Sequence, residues 1–357
     1  MKPQKRISLI LASVICLLIV ISCTKDDFDV LKPADVEKWT YFSAGYGLPS
    51  NKVYCIAEDE FHNIWIGTDK GLVKYDGSNF TTYSTKTGLP SDKIYSLLWH
   101  SGSELLVGTS NGFGKITANG KYSNILVTQN FPVIKFSENK KKNYIFCATN
   151  IGAIIYDYSD DLWGYEALDS TLLDDGRYYL NPIYDIECDN NNYTWVATPV
   201  GVYCFKYPGA TTFTNIDLGI PIYSIVSTLF SDKSGNIWIA PSWDEKVIYY
   251  NGSKFVNDTI FLGDNNYKAM DQDQYNNYWI SIEGHGVLNY GGGMTKVYNT
   301  SNSKIISDDI NCILNDSKGN IWFGSSDNGL MYYQNIKPLQ FNFDSGKSSE
   351  TNTNPIN

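Results

Sequence analysis

The phrase Asn63-Ile64-Trp65-Ile66-Gly67-Thr68-Asp69-Lys70-Gly71-Leu72 constrains this chain more than any other stretch. It is an apolar strand core, a small residue, and a polar turn closed by glycine. The same phrase returns in altered form with its large anchor at Leu106, Phe146, Trp195, Trp238, Trp279 and Trp322. The spacings from Trp65 onward are 41, 40, 49, 43, 41 and 43 residues. A period of this length marks stacked or radially arranged supersecondary units.

Each unit reads as four short strands. In the first, strand a covers Val53-Tyr54-Cys55-Ile56-Ala57 and strand b the tryptophan phrase. Strand c is Leu72-Val73-Lys74-Tyr75, and after the turn Asp76-Gly77-Ser78-Asn79, strand d is Phe80-Thr81-Thr82-Tyr83. Short runs rich in Ile, Val, Tyr and Trp between Asn/Asp/Gly turns are antiparallel hairpins. Four strands per unit and seven units predict an all-β, seven-bladed β-propeller over residues 39–343. Repeats that share one closed ring form one domain, although the length alone would allow two.

Ring closure is legible too. Trp39-Thr40-Tyr41-Phe42 looks like a strand d with no blade of its own. Gly47-Leu48-Pro49-Ser50, which follows it, copies Gly88-Leu89-Pro90-Ser91, which follows a true strand d. The N-terminal strand is therefore expected to complete the last blade and remove the ring's open edges. Leu339-Gln340-Phe341-Asn342-Phe343 competes for the same place. Residues 344–357, rich in Ser, Asn and Thr, read as a disordered tail.

Residues 1–22 read as a leader, with Lys2, Lys5 and Arg6 before an apolar run from Ile7 to Ile21, too short for an ordinary spanning helix. The run ends in Val20-Ile21-Ser22-Cys23, which resembles a bacterial lipobox. That resemblance implies cleavage before Cys23, lipidation of Cys23, and the lipid bilayer as a partner. Residues 23–38 then form a tether. Its start, Thr24-Lys25-Asp26-Asp27, resembles the export signal of surface-exposed lipoproteins in Bacteroidetes-type bacteria. Outer-membrane anchoring with exposure at the cell surface is the expectation, and a periplasm-facing anchor the alternative.

The formal net charge of −10 argues against nucleic acid as a partner. No cofactor or metal is expected, because no CxxC and no His/Cys cluster with zinc-ligand spacing occurs. Cys55, Cys147, Cys188, Cys204 and Cys312 cannot all pair and read as buried free thiols on strands. The turns before strand b, such as Asp232-Lys233-Ser234-Gly235-Asn236 and Asp316-Ser317-Lys318-Gly319-Asn320, look like pieces of a calcium loop. They lack its distal acid, so their aspartates are expected to bind backbone amides of their own hairpins. Trp65, Trp195, Trp238, Trp279 and Trp322, one per blade at one position, read as packing between blades.

Gly47-Leu48-Pro49-Ser50-Asn51-Lys52-Val53, with Ala57-Glu58-Asp59, Asn63-Ile64-Trp65-Ile66-Gly67-Thr68 and Gly71-Leu72, resembles the two-component regulator propeller repeat. The likeness is specific in units 1, 2 and 7 and weak in units 3 to 6. Such repeats fill the periplasmic sensors of hybrid histidine kinases in gut Bacteroidetes, where they are associated with glycan sensing. The resemblance implies the fold and a ligand class. It does not imply kinase activity, since neither a kinase nor a membrane helix is expected after residue 343.

In a propeller, the b–c and d–a loops share one face around the central channel. Departures from the repeat on that face are the candidate ligand-binding residues. Unit 5 replaces the usual glycine turn with Pro241-Ser242-Trp243-Asp244-Glu245-Lys246, and unit 6 reads Glu283-Gly284-His285. Arg177, Tyr178 and Tyr179 fall in a long d–a connection, and Tyr46 and Tyr267 in comparable loops. Aromatic rings beside carboxylates and an arginine would suit an oligosaccharide. The expected function is ligand binding or sensing, for a glycan or an outer-membrane protein partner. One alternative is a scaffold subunit of a surface uptake complex with no small-molecule site. The other is a polysaccharide lyase or hydrolase using loop-face acids, with Glu245 and Glu283 as the pair. An enzyme is not the expectation: no nucleophile-elbow or phosphate-loop motif occurs, and the only histidines are His62, His100 and His285.

Overall fold

The structure, a computed structural model, describes residues 39–334 apart from 101–103, 118–119, 127–130, 142, 151, 161, 167–182, 200, 207–208, 215–217, 219–224, 243–246, 259–265 and 292–293. The leader, Cys23, the tether, Leu339–Phe343 and the tail lie outside the described residues. So do Arg177, Tyr178, Tyr179, Trp243, Asp244 and Glu245.

Seven four-stranded antiparallel sheets form the described body. Blade 1 runs through strands Val53–Glu58, Ile64–Thr68, Gly71–Tyr75 and Phe80–Tyr83. Five further blades repeat this order along the chain, and the strand a of each lies against the strand a of the next. The seventh blade takes strands a to c from Ile310–Asn315, Asn320–Ser325 and Leu330–Gln334. Its outer strand is Trp39–Phe42, antiparallel to Leu330–Gln334 with Trp39 opposite Tyr333 and Phe42 opposite Leu330. The first described strand thus sits in the last blade, and strand a of blade 7 packs on strand a of blade 1.

The anchor of each strand b packs toward the following blade. Trp65 clusters with Ile94 and Leu105 of blade 2, Trp238 with Met270 and Ile280 of blade 6, and Trp322 with Val53 and Ile66 of blade 1. All five anchor tryptophans are buried. Burial of a tryptophan strands its indole N–H unless an acceptor is supplied. The acceptor is the turn aspartate six residues earlier: Trp65 Nε1 donates to Asp59 at 2.9 Å, Trp195 to Asp189 at 3.1 Å, Trp238 to Asp232 at 2.9 Å, Trp279 to Asp273 at 3.1 Å and Trp322 to Asp316 at 2.8 Å. The same carboxylates accept backbone amides of their own turns, as at Asp316 from Lys318 N (3.0 Å) and Asn320 N (2.7 Å). The aspartates are structural, and each ties its hairpin to the inter-blade core.

The glycine that closes the phrase also has a defined task. Gly71 has φ +129, and its N–H donates to the Asp92 carbonyl at 2.7 Å, joining the b–c turn of blade 1 to the loop that enters blade 2. A side chain there would run into the Tyr83 carbonyl. The cysteines Cys55, Cys147, Cys188, Cys204 and Cys312 are free thiols, and burial pushes the Cys188, Cys204 and Cys312 thiols up to about 12.

Candidate functional site

Strand a is the inner strand of every blade, and it is irregular in the same place almost every time. Its register against strand b slips between Val53 and Cys55, Ile94 and Ser96, Val133 and Lys135, Val226 and Thr228, Tyr267 and Ala269, and Ile310 and Cys312. A bulge leaves one residue without an opposite partner and re-aims its side chain. Here the extra residues are Tyr54, Tyr95, Ile134, Ser227, Lys268 and Asn311, and all of them line the central channel. In blade 4, Tyr184 stands just before strand a (Asp185–Cys188) and lines the same space. The cavity they surround has a volume of about 290 Å3.

The residue after the bulge performs a second task. A bulge frees the carbonyl of the first residue of strand a, and a neighbouring blade fills it. Ser96 Oγ donates to Val133 O at 2.9 Å, Thr228 Oγ1 to Tyr267 O at 2.9 Å, and the Cys55 thiol to Ile94 O at 3.8 Å. At the seam between blades 7 and 1 the extra residue itself makes the bond, Asn311 Nδ2 donating to Val53 O at 2.9 Å. Between blades 3 and 4 the link is ionic, from Lys135 Nζ to Asp185 Oδ1 at 2.8 Å. The other Asp185 oxygen accepts Leu229 N of blade 5 at 2.8 Å. The channel wall is thereby stitched from blade to blade.

At the loop-face mouth, Tyr54 and Tyr95 meet edge to face with centroids 5.3 Å apart, and Lys52 Nζ lies 5.5 Å from the Tyr54 ring. Lys268 Nζ is held by Glu283 at 2.8 Å and Asp309 at 2.6 Å. Burial works against the charge on Lys268, but the two carboxylates outweigh it and hold its pKa above the ordinary lysine value. The Lys268 ammonium and the Asn266 amide keep the Glu283 carboxyl below its usual range. Toward the other end of the channel, burial pushes Glu187 up to about 7, against the pull of Lys135. Burial likewise raises Asp271 to about 6, opposed by the amides of Asn315 and Gln272 that it accepts. Among the described residues no group of three or more His, Cys, Asp or Glu could hold a metal ion.

The sequence-based candidates fare unequally. Glu283 does reach the channel mouth, through Lys268. His285 is exposed on the same b–c turn, its Nδ1 2.9 Å from the Glu283 carbonyl oxygen. Tyr46 is 78% exposed in the turn that leads from Trp39–Phe42 into blade 1. Tyr267 corrects the expectation. It is not in a loop but opens strand a of blade 6, at the register position of Val53 and Ile94. It is 2% exposed and packs with Trp238, Met270 and Ile280 in the inter-blade core, while it also borders the channel mouth beside Ser227 and Lys268. Tyr54, Tyr95, Tyr184 and Lys268 escaped the sequence reading. A bulge inside a continuous apolar run leaves no visible break, and its one trace is the large or polar residue recurring at the second position of strand a.

Residues 47–70 and 304–327 match the family model described as two component regulator propeller. The chain carries two-component regulator propeller repeats. No curated protein matches it in sequence. These propeller repeats are similar in fold to the extracellular domain of a B. thetaiotaomicron protein described as a hybrid two component system. That comparison gives a TM-score of 0.69 at 19% identity, over 83% of this chain and 39% of the other. A second such extracellular domain from B. thetaiotaomicron gives 0.69 at 16% identity over 84% and 42%. Virginiamycin B lyase from Staphylococcus aureus gives 0.67 at 14% identity, over 84% of this chain and 99% of that one. The present chain thus spans about two fifths of the length of the two B. thetaiotaomicron structures.

Proposed function

We propose that this propeller is a ligand-binding or sensing module, anchored to the outer membrane through acylated Cys23, that takes a glycan or a partner protein on its loop face. The observation that carries the reading is the channel mouth, where tyrosines and hydrogen-bonding side chains converge on one cavity. Ligand sites combine apolar and aromatic walls with a few placed polar groups in this way. The two-component regulator repeats and the fold shared with extracellular domains of hybrid two component systems support it.

Catalysis is disfavoured by the state of Glu283. A general acid for glycoside cleavage needs a raised pKa, and Lys268 and Asn266 shift Glu283 the other way. That shift argues against Glu283 as the general acid and supports binding over turnover.

The test is a glycan array probed with the mature chain carrying Cys23→Ser, with Trp243→Ala and Tyr54→Ala as controls. Saturable binding weakened by either substitution is expected. No binding at millimolar oligosaccharide, with co-purification of outer-membrane proteins instead, would favour the scaffold. Radiolabelled palmitate incorporated by the native chain and absent from Cys23→Ser checks the anchor.

A further inference from the structure

We infer that the channel mouth is a well that accepts the uncharged end of an oligosaccharide, end-on, and that the second residue of each strand a sets its specificity. This deepens the glycan reading above and rests on it. One residue per blade surrounds a cavity of about 290 Å3, at the lower end of the range for ligand sites. The wall has no lateral opening where the inter-blade links run, since each ties one inner strand to the next. Further in, the lining continues with Leu97, Phe136, Leu229 and Met270. A polymer lying across the face would touch only the rim, whereas a chain end fits inside.

The rim is divided in two. Tyr54, Tyr95 and Tyr184, with Ile134 among them, come from blades 1 to 4, and Ser227, Lys268 and Asn311 from blades 5 to 7. One arc is aromatic and the other is polar. A sugar ring has the matching asymmetry, with a C–H face for stacking and hydroxyls at its edge.

Of the lysines at the well, Lys268 is matched by Glu283 and Asp309 and Lys135 by Asp185, while Lys52 stands at the rim over the Tyr54 ring. A ligand carboxylate or sulfate would have to displace one of these carboxylates or sit beside it. Uncharged termini are therefore preferred over uronates.

Ser227→Tyr tests the well. Tyrosine already occupies the same strand position at Tyr54 and Tyr95, so the backbone accommodates it; the Ser227 Oγ contacts to Tyr267 O (3.2 Å) and Ala240 O (3.3 Å) are given up, and Thr228 keeps its shorter bond to Tyr267 O. Tyr95→Ala is the second variant, should Ser227→Tyr fold poorly. The probes are neutral oligosaccharides (gluco-, xylo- and manno-oligosaccharides) and oligogalacturonides, measured by calorimetry on the soluble mature chain. At least tenfold weaker binding of the neutral ligand is expected for each variant, with unchanged thermal unfolding for Ser227→Tyr. Stoichiometry should stay fixed per chain as the oligosaccharide lengthens. Parental affinity in both variants, bound protein growing with chain length, or a preference for oligogalacturonides would overturn the well and leave the glycan reading standing. No binding of any glycan would remove both.

Discussion

The Asn311 side-chain amide donates to the Val53 carbonyl at 2.9 Å, across the seam where blade 7 meets blade 1. The two residues are the second residue of one inner strand and the first of the next, and they are 258 positions apart in sequence. The bond stands where Ser96 and Thr228 make theirs at other seams. Asn311→Ala is expected to cost about 1–2 kcal/mol, the value of a partly buried hydrogen bond whose acceptor is left unpaired. Urea unfolding should show a lower midpoint with an unchanged slope.

The turn aspartates should matter more than their place in hairpin turns suggests. Asp316 accepts from Lys318 N, Asn320 N, the Asn320 side chain and the Trp322 indole. Asp316→Ala leaves that buried indole N–H without an acceptor, and a loss of about 2–4 kcal/mol is expected. Asp316→Asn, which retains one acceptor oxygen, should lose less. Denaturation followed by tryptophan fluorescence separates the two.

Stability should depend on pH in two limbs. Glu187 and Asp271 have folded pKa values raised to about 7 and about 6. A raised acid binds its proton more tightly when folded, so its contribution is present at low pH and lost as pH rises through those values. Asp232, Asp76, Glu283 and Asp309 are shifted down. Their contribution is present above the ordinary carboxylate range and lost as pH falls below it. Chemical denaturation across pH should show stability declining from about pH 4 to about pH 7, and Glu187→Gln should reduce that limb, leaving the part due to Asp271 and the acid limb intact.

The small residue in the repeated phrase should resist enlargement. Gly67 lies under the Cys55 thiol, and a Cβ there would also come within 2.8 Å of Ile94 in the next blade. Gly67→Ala is expected to destabilise by about 1–3 kcal/mol through overpacking. Thermal unfolding reads this directly, and Gly77→Ala separates overpacking from backbone strain, since nothing lies within 4 Å of the added carbon there but φ is +94.

The sequence carried the architecture because the architecture is periodic. Seven anchors at nearly constant spacing required seven alike units, and the copy of Gly88–Ser91 at Gly47–Ser50 marked Trp39–Phe42 as an outer strand. The phrase and the turn before it also contained their own chemistry: Asp59, Trp65 and Gly71 are close enough in sequence for the turn, the indole bond and the b–c turn to be set locally. The well was not set locally. Tyr54, Tyr95 and Ser227 look like ordinary members of apolar runs, and Tyr267, one position earlier in its strand, looks much the same. A bulge decides which of them faces the channel, and a bulge is a register slip between two strands. Hydrophobic patterning fixes which residues are buried, whereas pairing of inner strands around a closed ring fixes which side chains share one axis. That second relation exists only once all seven blades are in place.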